Sequence, residues 1–399
     1  MSPARGTPTE SVLVLMPPTV TPAPVSADTV VLGVALRRRV LLAGLRAGFD
    51  RVGAPDELQG SRSVRSRIAL LPANVVPQTR WLRELLEIPL ALDLIHRDAS
   101  GAAVVETEDP GRVLKTALGC ATVDEALAEL GGTLPTVAGS LAPGGRFVVE
   151  RPSDIRAAET WLLRSLVKAN EGFMSRHFER RLSLALTRRL VRTPVTPNMI
   201  TLFSVAIGLL GAPFFLASAP GFQLAGALLF FAHSILDGCD GEIARLKFLE
   251  SRGGATLDFW GDNLVHQAIF ACMAIGWSLS TQALWPLLLG VLAVAGTLGA
   301  ASLASRRFIA GEALTGADRT MARLIEAFSH RDFIYLILIL SAFGLAQWFI
   351  ALAAAGTPLF LALMLWVDRQ SGELAPSGVV SKSGGGRRGG AALAPPDYK

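Results

Sequence analysis

The chain has 399 residues, of which 51% are hydrophobic, and it carries a formal net charge of +5 at pH 7. This hydrophobic share is high for a soluble protein, and so small a charge gives no reason to expect a nucleic-acid partner. Three cysteines (Cys120, Cys239 and Cys272) without a CxxC pair exclude a disulfide framework and favour a reduced environment.

The first 168 residues alternate short apolar runs with helical patterns. The run SVLVLM at residues 11–16 is typical of a strand, and VLLAGLRAGF at residues 40–49 is typical of a helix. This rhythm predicts an α/β domain with a Rossmann-like layered sheet. The order of the elements resembles that of a sugar-phosphate nucleotidyltransferase, in particular over residues 31–52, 71–77 and 146–163.

The chain departs from that family where a working nucleotidyltransferase needs its ligands. The family has a glycine-rich loop with a basic residue after its first strand, whereas residues 15–28 read LMPPTVTPAPVSAD. Proline lacks a backbone N–H and cannot help to cradle a triphosphate. Asn74 stands where the family has a metal-binding Asp. We therefore predict that residues 1–168 form a degenerate, inactive cytoplasmic domain; the alternative is an active enzyme with unusual loops.

Residues 169–196 carry an amphipathic pattern ahead of the first long apolar segment. Apolar residues such as Phe178 and Leu182 alternate with a basic face that includes Arg180 and Arg188. Such a pattern is typical of a helix that lies in the membrane interface on anionic headgroups. The alternative is an ordinary surface helix.

The second half of the chain contains six apolar segments, which predict an all-α integral membrane domain of six transmembrane helices over residues 197–368. Most approach the roughly 20 residues that cross the hydrocarbon layer. Basic residues cluster in alternate loops, which by the positive-inside rule places both termini in the cytoplasm and makes the protein a multi-pass protein of the inner membrane. Residues 369–399 are rich in Gly, Ser and Pro, which predicts a disordered tail. The predicted spans are residues 198–218, 221–246, 254–278, 282–305, 332–351 and 353–368.

Four aspartates, Asp237, Asp240, Asp258 and Asp262, lie within these apolar segments. Each ionised carboxylate inside a membrane costs roughly 2.5–3.5 kcal/mol, so four of them require compensating charge. On two helices the spacing places Asp237 and Asp240 on one face, and Asp258 and Asp262 on another, so that both pairs face one cleft. Carboxylate oxygens are the ligands that divalent Mg2+ and similar ions prefer, and such ions commonly serve phosphate chemistry.

Small residues and one arginine complete this pattern, which reads D-x2-D-G-x2-A-R-x8-G-x3-D-x3-D. Its eight fixed positions all match the motif of the CDP-alcohol phosphatidyltransferases, and on this match the chain resembles that family. The resemblance implies two divalent ions, Mg2+ or Mn2+, which hold the pyrophosphate of CDP, with Asp262 as the general base. We predict a metal set of Asp237, Asp240, Asp258 and Asp262. The resemblance implies a CDP site that contains Asp237, Gly241, Ala244, Arg245 and Gly254.

Two further groups of residues are candidates for the substrate site, the first by the same resemblance and the second because a phosphorylated acceptor needs nearby cations. Residues 197–201 are similar to the Pro-Asn-x-x-Thr sequence that precedes the family's first span, which adds Pro197, Asn198 and Thr201 to the CDP site. Arg306, Arg307 and Arg331 are candidates for the phosphate of the acceptor, with topology-setting charges as the alternative.

The layout of the chain resembles the bifunctional enzymes that join an inositol-phosphate cytidylyltransferase to di-myo-inositol-phosphate-phosphate synthase. We therefore predict a homodimeric CDP-alcohol phosphotransferase of phospholipid or phosphodiester biosynthesis that releases CMP. Its partners would be membrane lipid, a CDP-alcohol and a polyol-phosphate acceptor such as inositol phosphate, with glycerol phosphate as the next candidate.

Two alternatives of other classes remain at this point. A transporter or receptor with a metal site is less favoured, because the motif has no second copy in the chain. A scaffold without activity is less favoured because the motif is intact. We expect His233 and His266 to be packed within apolar helices, with metal ligation as the alternative. We expect Glu242 and Glu250 to be solvated or interfacial rather than metal ligands.

Overall fold

The computed structural model describes residues 10–18, 25–58, 65–139, 144–167, 178–306 and 333–373. The chain folds into two compact units, Met1–Leu166 and Val167–Lys399. The first contains a β-sheet with helices, and the second is helical.

The N-terminal unit is built on a six-stranded sheet. Its strand order is β4-β1-β5-β8-β7-β9, and β8 runs antiparallel to both of its neighbours, while the other pairings are parallel. The strands are β1 (Glu10–Met16), β4 (Arg51–Gly53), β5 (Ser66–Pro72), β7 (Ile95–Arg97), β8 (Ala103–Thr107) and β9 (Thr136–Ala138).

This mixed sheet differs from the parallel sheet of a Rossmann-like layer, so that part of the predicted fold is not confirmed. The reason is the short connection between β7 and β8, where Gly101 has a φ of 83° and the Asp98 N–H donates to the carbonyl of Ala102 at 2.8 Å. A tight turn of this kind can only join antiparallel strands, because a parallel crossover needs a dozen or more residues.

Among the described residues of the N-terminal unit, two small sheets and five α-helices accompany the large sheet. The paired strands are β2 (Val30–Val31) with β3 (Val34–Ala35), and β6 (Val75–Pro77) with β10 (Arg146–Val148). The helices are α1 (Leu36–Ala47), α2 (Thr79–Glu87), α3 (Pro110–Gly119), α4 (Val123–Gly131) and α5 (Ile155–Ser165). One core cluster joins buried apolar residues of β1, β5 and β8 to α3 and α4, so the apolar runs of these strands form part of the core of the unit.

The C-terminal unit consists of seven helices within the described residues. Five segments are long and apolar enough to cross a membrane: Pro197–Leu216, Pro220–Lys247, Arg252–Thr281, Trp285–Ala304 and Gln347–Arg369. The predicted multi-pass helical membrane part is therefore confirmed. The helices are α6 (Arg180–Leu190), α7 (Pro197–Gly211, continued by a 3-10 turn at Ala212–Leu216), α8 (Pro220–Lys247), α9 (Arg252–Thr281), α10 (Trp285–Ala304), α11 (Phe333–Ala342) and α12 (Gln347–Glu373).

The last two helices differ from the predicted spans. Within the described residues α11 has ten residues and ends at Ala342, whereas the predicted fifth span continues to residue 351. Gly344 adopts a φ of 70°, and the N–H of Leu345 donates to the carbonyl of Leu340 at 2.8 Å. This is a left-handed glycine cap, which ends a helix irrespective of the hydrophobicity around it. The count of six spans is therefore not confirmed, and α12 continues to Glu373, beyond the predicted start of the tail.

The hairpin of α8 and α9 positions the aspartates. Phe248 ends α8 with a φ of 59°, and the Ser251 hydroxyl caps α9 by accepting the N–H of Gly254 at 3.0 Å. The intervening turn is short, so the C-terminal part of α8 lies beside the N-terminal part of α9. Thr196 caps α7 in the same way, with Pro197 in the first turn.

Candidate active site

Three of the four predicted aspartates converge between α8 and α9. Asp237, Asp240 and Asp258 each offer a carboxylate oxygen, and these atoms lie within 4.8 Å of one another. We call these three residues the aspartate cluster. Asp237 and Asp240 are only 5% and 4% exposed. The spacing of three along α8 turns both toward α9, as the helical periodicity predicts.

The electrostatics of the aspartate cluster call for a cation. Two unit charges 4.8 Å apart repel by about 3.5 kcal/mol at an effective dielectric constant of about 20. The buried Oδ1 atom of Asp258 accepts no hydrogen bond within the described part of the chain. Buried carboxylates with unmet acceptor capacity are suited to hard divalent cations, so the residues present fit the metal that the sequence implies.

Asp262 takes a different position from the aspartate cluster. It lies one turn after Asp258 on α9, its side chain is 30% exposed, and its Oδ1 is 3.3 Å from the Nε2 atom of His233. The three-carboxylate group contains the other aspartates and not Asp262. The roles of Asp262 as a general base and as a metal ligand both stay predictions.

The first turns of α7 lie at the same end of the helical unit as the aspartates. The Thr201 hydroxyl donates to Oδ2 of Asp240, and a Cβ atom placed on Gly254 would lie 3.0 Å from Oδ1 of Asn198. Gly254 thus allows α7 and α9 to approach closely. Asn198 and Thr201, from the predicted Pro-Asn-x-x-Thr segment, are brought next to the motif; Pro197 provides the first turn of that helix.

The remaining motif residues of α8 follow one helical face. The Arg245 side chain lies back over the preceding turn, because a Cβ atom on Gly241 would be 3.4 Å from its Nη1 atom. Ala244 is largely buried, and Arg245 is exposed. A guanidinium that overhangs a glycine leaves room for a ligand beside the helix backbone, and its planar fork suits a phosphate.

Glu242 contradicts the expectation that it is solvated or interfacial. It is fully buried, its Oε1 lies 2.7 Å from Nη1 of Arg180, and it accepts a hydrogen bond from the Ser183 hydroxyl at 2.7 Å. Both partners belong to α6, which covers this side of α8. The pattern of α8 alone could not identify the partner, because Arg180 is 62 residues away in the chain. The apolar residues Phe178 and Leu182 of the same region are exposed.

His233 is packed as expected, but it also has a polar contact that the sequence did not reveal. It is 2% exposed and stacks on Phe230 with ring centroids 5.9 Å apart. It precedes Asp237 by one helical turn, so periodicity could have placed it on the motif face of α8. Its partner Asp262 is on another helix.

The predicted acceptor arginines are not brought to the aspartate cluster by any described contact. Arg306 is exposed, two residues after the end of α10. Arg307 and Arg331 lie outside the described residues, as do residues 169–177 of the predicted interfacial helix and residues 374–399 of the predicted tail.

In the N-terminal unit, Asn74 has a structural contact where the family resemblance implies a metal ligand. Its side chain is buried, and its Nδ2 donates to the carbonyl of Val149 at 3.3 Å, which links the turn before β6 to the end of β10. Pro17 and Pro18 follow β1 directly, and the prolines at positions 22 and 24 lie outside the described residues.

Comparison with known proteins assigns the helical unit to a family. Residues 194–360 match the model of the CDP-alcohol phosphatidyltransferase family. The chain is similar to the bifunctional IPC transferase and DIPP synthase of Rubrobacter xylanophilus, with 40% identity over 172 residues, which are 39% of this chain and 38% of the relative. The protein of the same name from Archaeoglobus fulgidus is 33% identical over 204 residues, which are 50% of this chain and 39% of the relative.

The chain thus spans well under half the length of these curated relatives. A solved structure, the Mycobacterium tuberculosis phosphatidylinositol phosphate synthase (PgsA1) with CDP-DAG bound, aligns at 18% identity and a TM-score of 0.34, over 51% of this chain and 99% of that one. The matched residues 194–360 include the aspartate cluster and the two helices, α8 and α9, that carry it. The helical part of the chain therefore contains a segment, residues 194–360, that matches the CDP-alcohol phosphatidyltransferase family model.

Proposed function

We propose that the protein is a CDP-alcohol phosphotransferase, which moves a substituted phosphate from a CDP-alcohol to an acceptor hydroxyl and releases CMP. The observation that carries this proposal is the buried aspartate cluster on the α8–α9 hairpin, within the matched domain. The names of the relatives support a polyol phosphate such as inositol phosphate as acceptor.

The aspartate cluster would hold the divalent ions, Mg2+ or Mn2+, of which we propose two. When bound, such ions neutralise the charge of a pyrophosphate and make its phosphorus more electrophilic. The chain's own contribution is the fixed geometry of the three carboxylates. Thr201 restrains Asp240 by its hydrogen bond, and burial excludes most water from Asp237 and Asp240.

Asp262 is our candidate for the general base. In the proposed reaction its carboxylate takes the proton of the acceptor hydroxyl, whose oxygen forms a bond to the β-phosphorus of the CDP-alcohol. The bond from that phosphorus to the oxygen bridging the two phosphates breaks, and CMP leaves with the electron pair. Asp262 is suited to this role because its side chain is 30% exposed beside the aspartate cluster, so a hydroxyl can reach it.

Arg245 is our candidate for the nucleotide phosphates, together with the backbone beside Gly241, Ala244 and Gly254 and with Pro197, Asn198 and Thr201 at the start of α7. The acceptor phosphate is assigned to Arg306, Arg307 and Arg331 as a prediction from the sequence. We also propose a homodimer in the inner membrane, with six membrane helices and the active site and both termini on the cytoplasmic side, in contact with membrane lipid through α6.

We further propose that residues 1–168 do not transfer nucleotides. The prolines after β1 and the structural hydrogen bond of Asn74 support this proposal. The full chain should release no pyrophosphate from CTP with inositol phosphate or another sugar phosphate. Pyrophosphate release that survives loss of the aspartate cluster would overturn it.

The central experiment measures CMP release by the purified full chain in lipid vesicles. CDP-inositol and CDP-diacylglycerol would each be tested with inositol phosphate and with glycerol phosphate, with Mg2+ or Mn2+ and with EDTA. We expect CMP only when metal, donor and acceptor are all present, and none with Asp240→Asn. Absence of CMP in every combination would refute the enzyme and favour a transporter or a scaffold.

A further inference from the structure

A buried histidine stands directly behind the proposed base. His233 of α8 is 2% exposed, and its Nε2 atom lies 3.3 Å from Oδ1 of Asp262 on α9. The Asp262 side chain is 30% exposed, so the pair extends from the interior of the helical unit to an accessible carboxylate. This histidine is not one of the eight fixed positions of the family motif.

The imidazole ring is held in one orientation by its surroundings. It stacks on Phe230 with an interplanar angle of 19°. On the side of α7, a Cβ atom on Gly208 would lie only 3.1 Å from Cγ of His233 and 2.5 Å from Cγ1 of Val265. The helices are therefore in close contact around the ring, and a ring so confined can impose its own orientation on a hydrogen-bond partner.

The position of the proton follows from the two nitrogen atoms. A neutral imidazole carries one N–H, and its second nitrogen is an acceptor. Within the described residues the buried Nδ1 atom has no hydrogen-bond partner. A proton on Nδ1 would therefore be buried without an acceptor, and Nε2 would face the carboxylate with a lone pair. A proton on Nε2 removes both costs, because Nε2 is the nitrogen that lies 3.3 Å from the carboxylate oxygen of Asp262.

We propose that His233 is a positioning residue: its Nε2–H donates to Oδ1 of Asp262 and fixes the direction in which that carboxylate presents its other oxygen to the acceptor hydroxyl. This inference rests on the proposed function, in which Asp262 takes the proton. The direction of this carboxylate matters, because a general base must lie within hydrogen-bond reach of the proton it removes.

The test compares two replacements of His233 in the full chain. His233→Phe keeps a stacked ring and removes the donor, whereas His233→Gln removes the ring and keeps an N–H donor. Val265→Ala is the packing control, because Val265 is buried beside the same ring contact and has no polar group. CMP release from CDP-inositol and inositol phosphate gives kcat and KM. CMP binding by calorimetry and thermal unfolding are measured in parallel.

We expect His233→Phe to lower kcat by about 100-fold, as expected for a misplaced catalytic group. The KM for both substrates, the affinity for CMP and the melting temperature should stay near the wild-type values. His233→Gln should recover much of kcat, and Val265→Ala should lower the melting temperature but retain kcat. Should His233→Phe not fold, His233→Leu removes the same donor in a smaller volume.

Three results would overturn the proposal. They are an unchanged kcat in His233→Phe, equal losses in the Phe and Gln variants, and a loss of kcat accompanied by an equal loss of CMP affinity. Each would mean that the histidine serves packing or the shape of the nucleotide site. A wild-type protein without any CMP release would instead refute the proposed function itself, so the two failures are distinguishable.

Discussion

The Nη1 atom of Arg180 lies 2.7 Å from Oε1 of Glu242, a residue that is fully buried within the aspartate motif of α8. This ion pair and the Ser183 hydroxyl attach α6 to the helix that carries Asp237 and Asp240. A buried charge that loses its partner is costly, whereas an apolar pair in the same place often is not. The pair therefore predicts a stability effect close to the site.

Arg180→Met should destabilise the helical unit by about 3 kcal/mol, because Glu242 would then be buried without its cation. Unfolding in detergent by urea would measure this change. The matched control is Arg181→Met, since Arg181 is exposed and adjacent, and its replacement should change stability by less than about 0.5 kcal/mol. Equal effects of the two variants would contradict the structural role, and the double variant Arg180→Met/Glu242→Leu should regain most of the loss.

Asp262→Asn should lower the rate of CMP release by about 10²–10⁴-fold, the usual contribution of a general base. CMP binding should persist, because the aspartate cluster remains intact, and a Mn2+ titration of the same variant measures whether Asp262 also serves as a metal ligand. Asp240→Asn is the comparison, since it should weaken Mn2+ binding as well as turnover. Undiminished CMP release by Asp262→Asn would eliminate this residue as the base.

Gly254→Ala should weaken CMP binding and turnover. The added methyl group would lie 3.0 Å from both Oδ1 of Asn198 and Oγ of Ser251, so the side chain of Asn198 and the capping hydroxyl of Ser251 must shift by a few tenths of an ångström. Gly253→Ala is the matched control, because a Cβ atom there meets nothing within 4 Å. Both variants can be compared by CMP titration calorimetry, and similar losses of affinity would argue against a role for the close approach.

Glu106 predicts acid sensitivity of the N-terminal unit. The Nη2 atom of Arg65 lies 2.5 Å from Oε1 of Glu106, and the Nη2 atom of Arg67 lies 2.7 Å from Oε2. Burial alone would raise the pKa of Glu106, but the hydrogen bonds and charges of Arg67 and Arg65 outweigh it and lower the pKa below its usual value. A lowered carboxyl pKa contributes stability that is complete above the unfolded-state pKa and is lost as pH falls through the folded-state pKa.

The wild type should therefore be more stable than Glu106→Gln at pH 7, and this difference should shrink as the pH falls below about 4.3, the ordinary pKa of glutamate. Thermal unfolding of both full-length proteins, followed by circular dichroism at several pH values, measures this difference in stability. Glu108→Gln, at an exposed position two residues away, serves as the control and should match the wild type. A difference that grows toward acid pH would contradict the assigned sign.

Local chemistry made several features of the fold predictable. Thr196 with Pro197 starts α7, and the apolar lengths indicate helices that can cross a membrane. The break at Gly344 was missed, because its left-handed conformation depends on the backbone and the surrounding apolar residues continue across it. The direction of β8 was missed for a similar reason, since its short, continuously buried run does not reveal whether the neighbouring strands run parallel or antiparallel to it.

The sequence by itself determined which residues share a face of α8 and α9, because helical periodicity follows from the chain alone. It therefore supplied the aspartate motif and the match to a family. Only the tertiary structure decided that Asp237, Asp240 and Asp258 lie within 4.8 Å, that Asp262 contacts His233, and that Glu242 pairs with Arg180. Contacts between elements depend on the rotation and separation of whole helices, and those are fixed by close packing around residues such as Gly208, which has no side chain to reveal its neighbours.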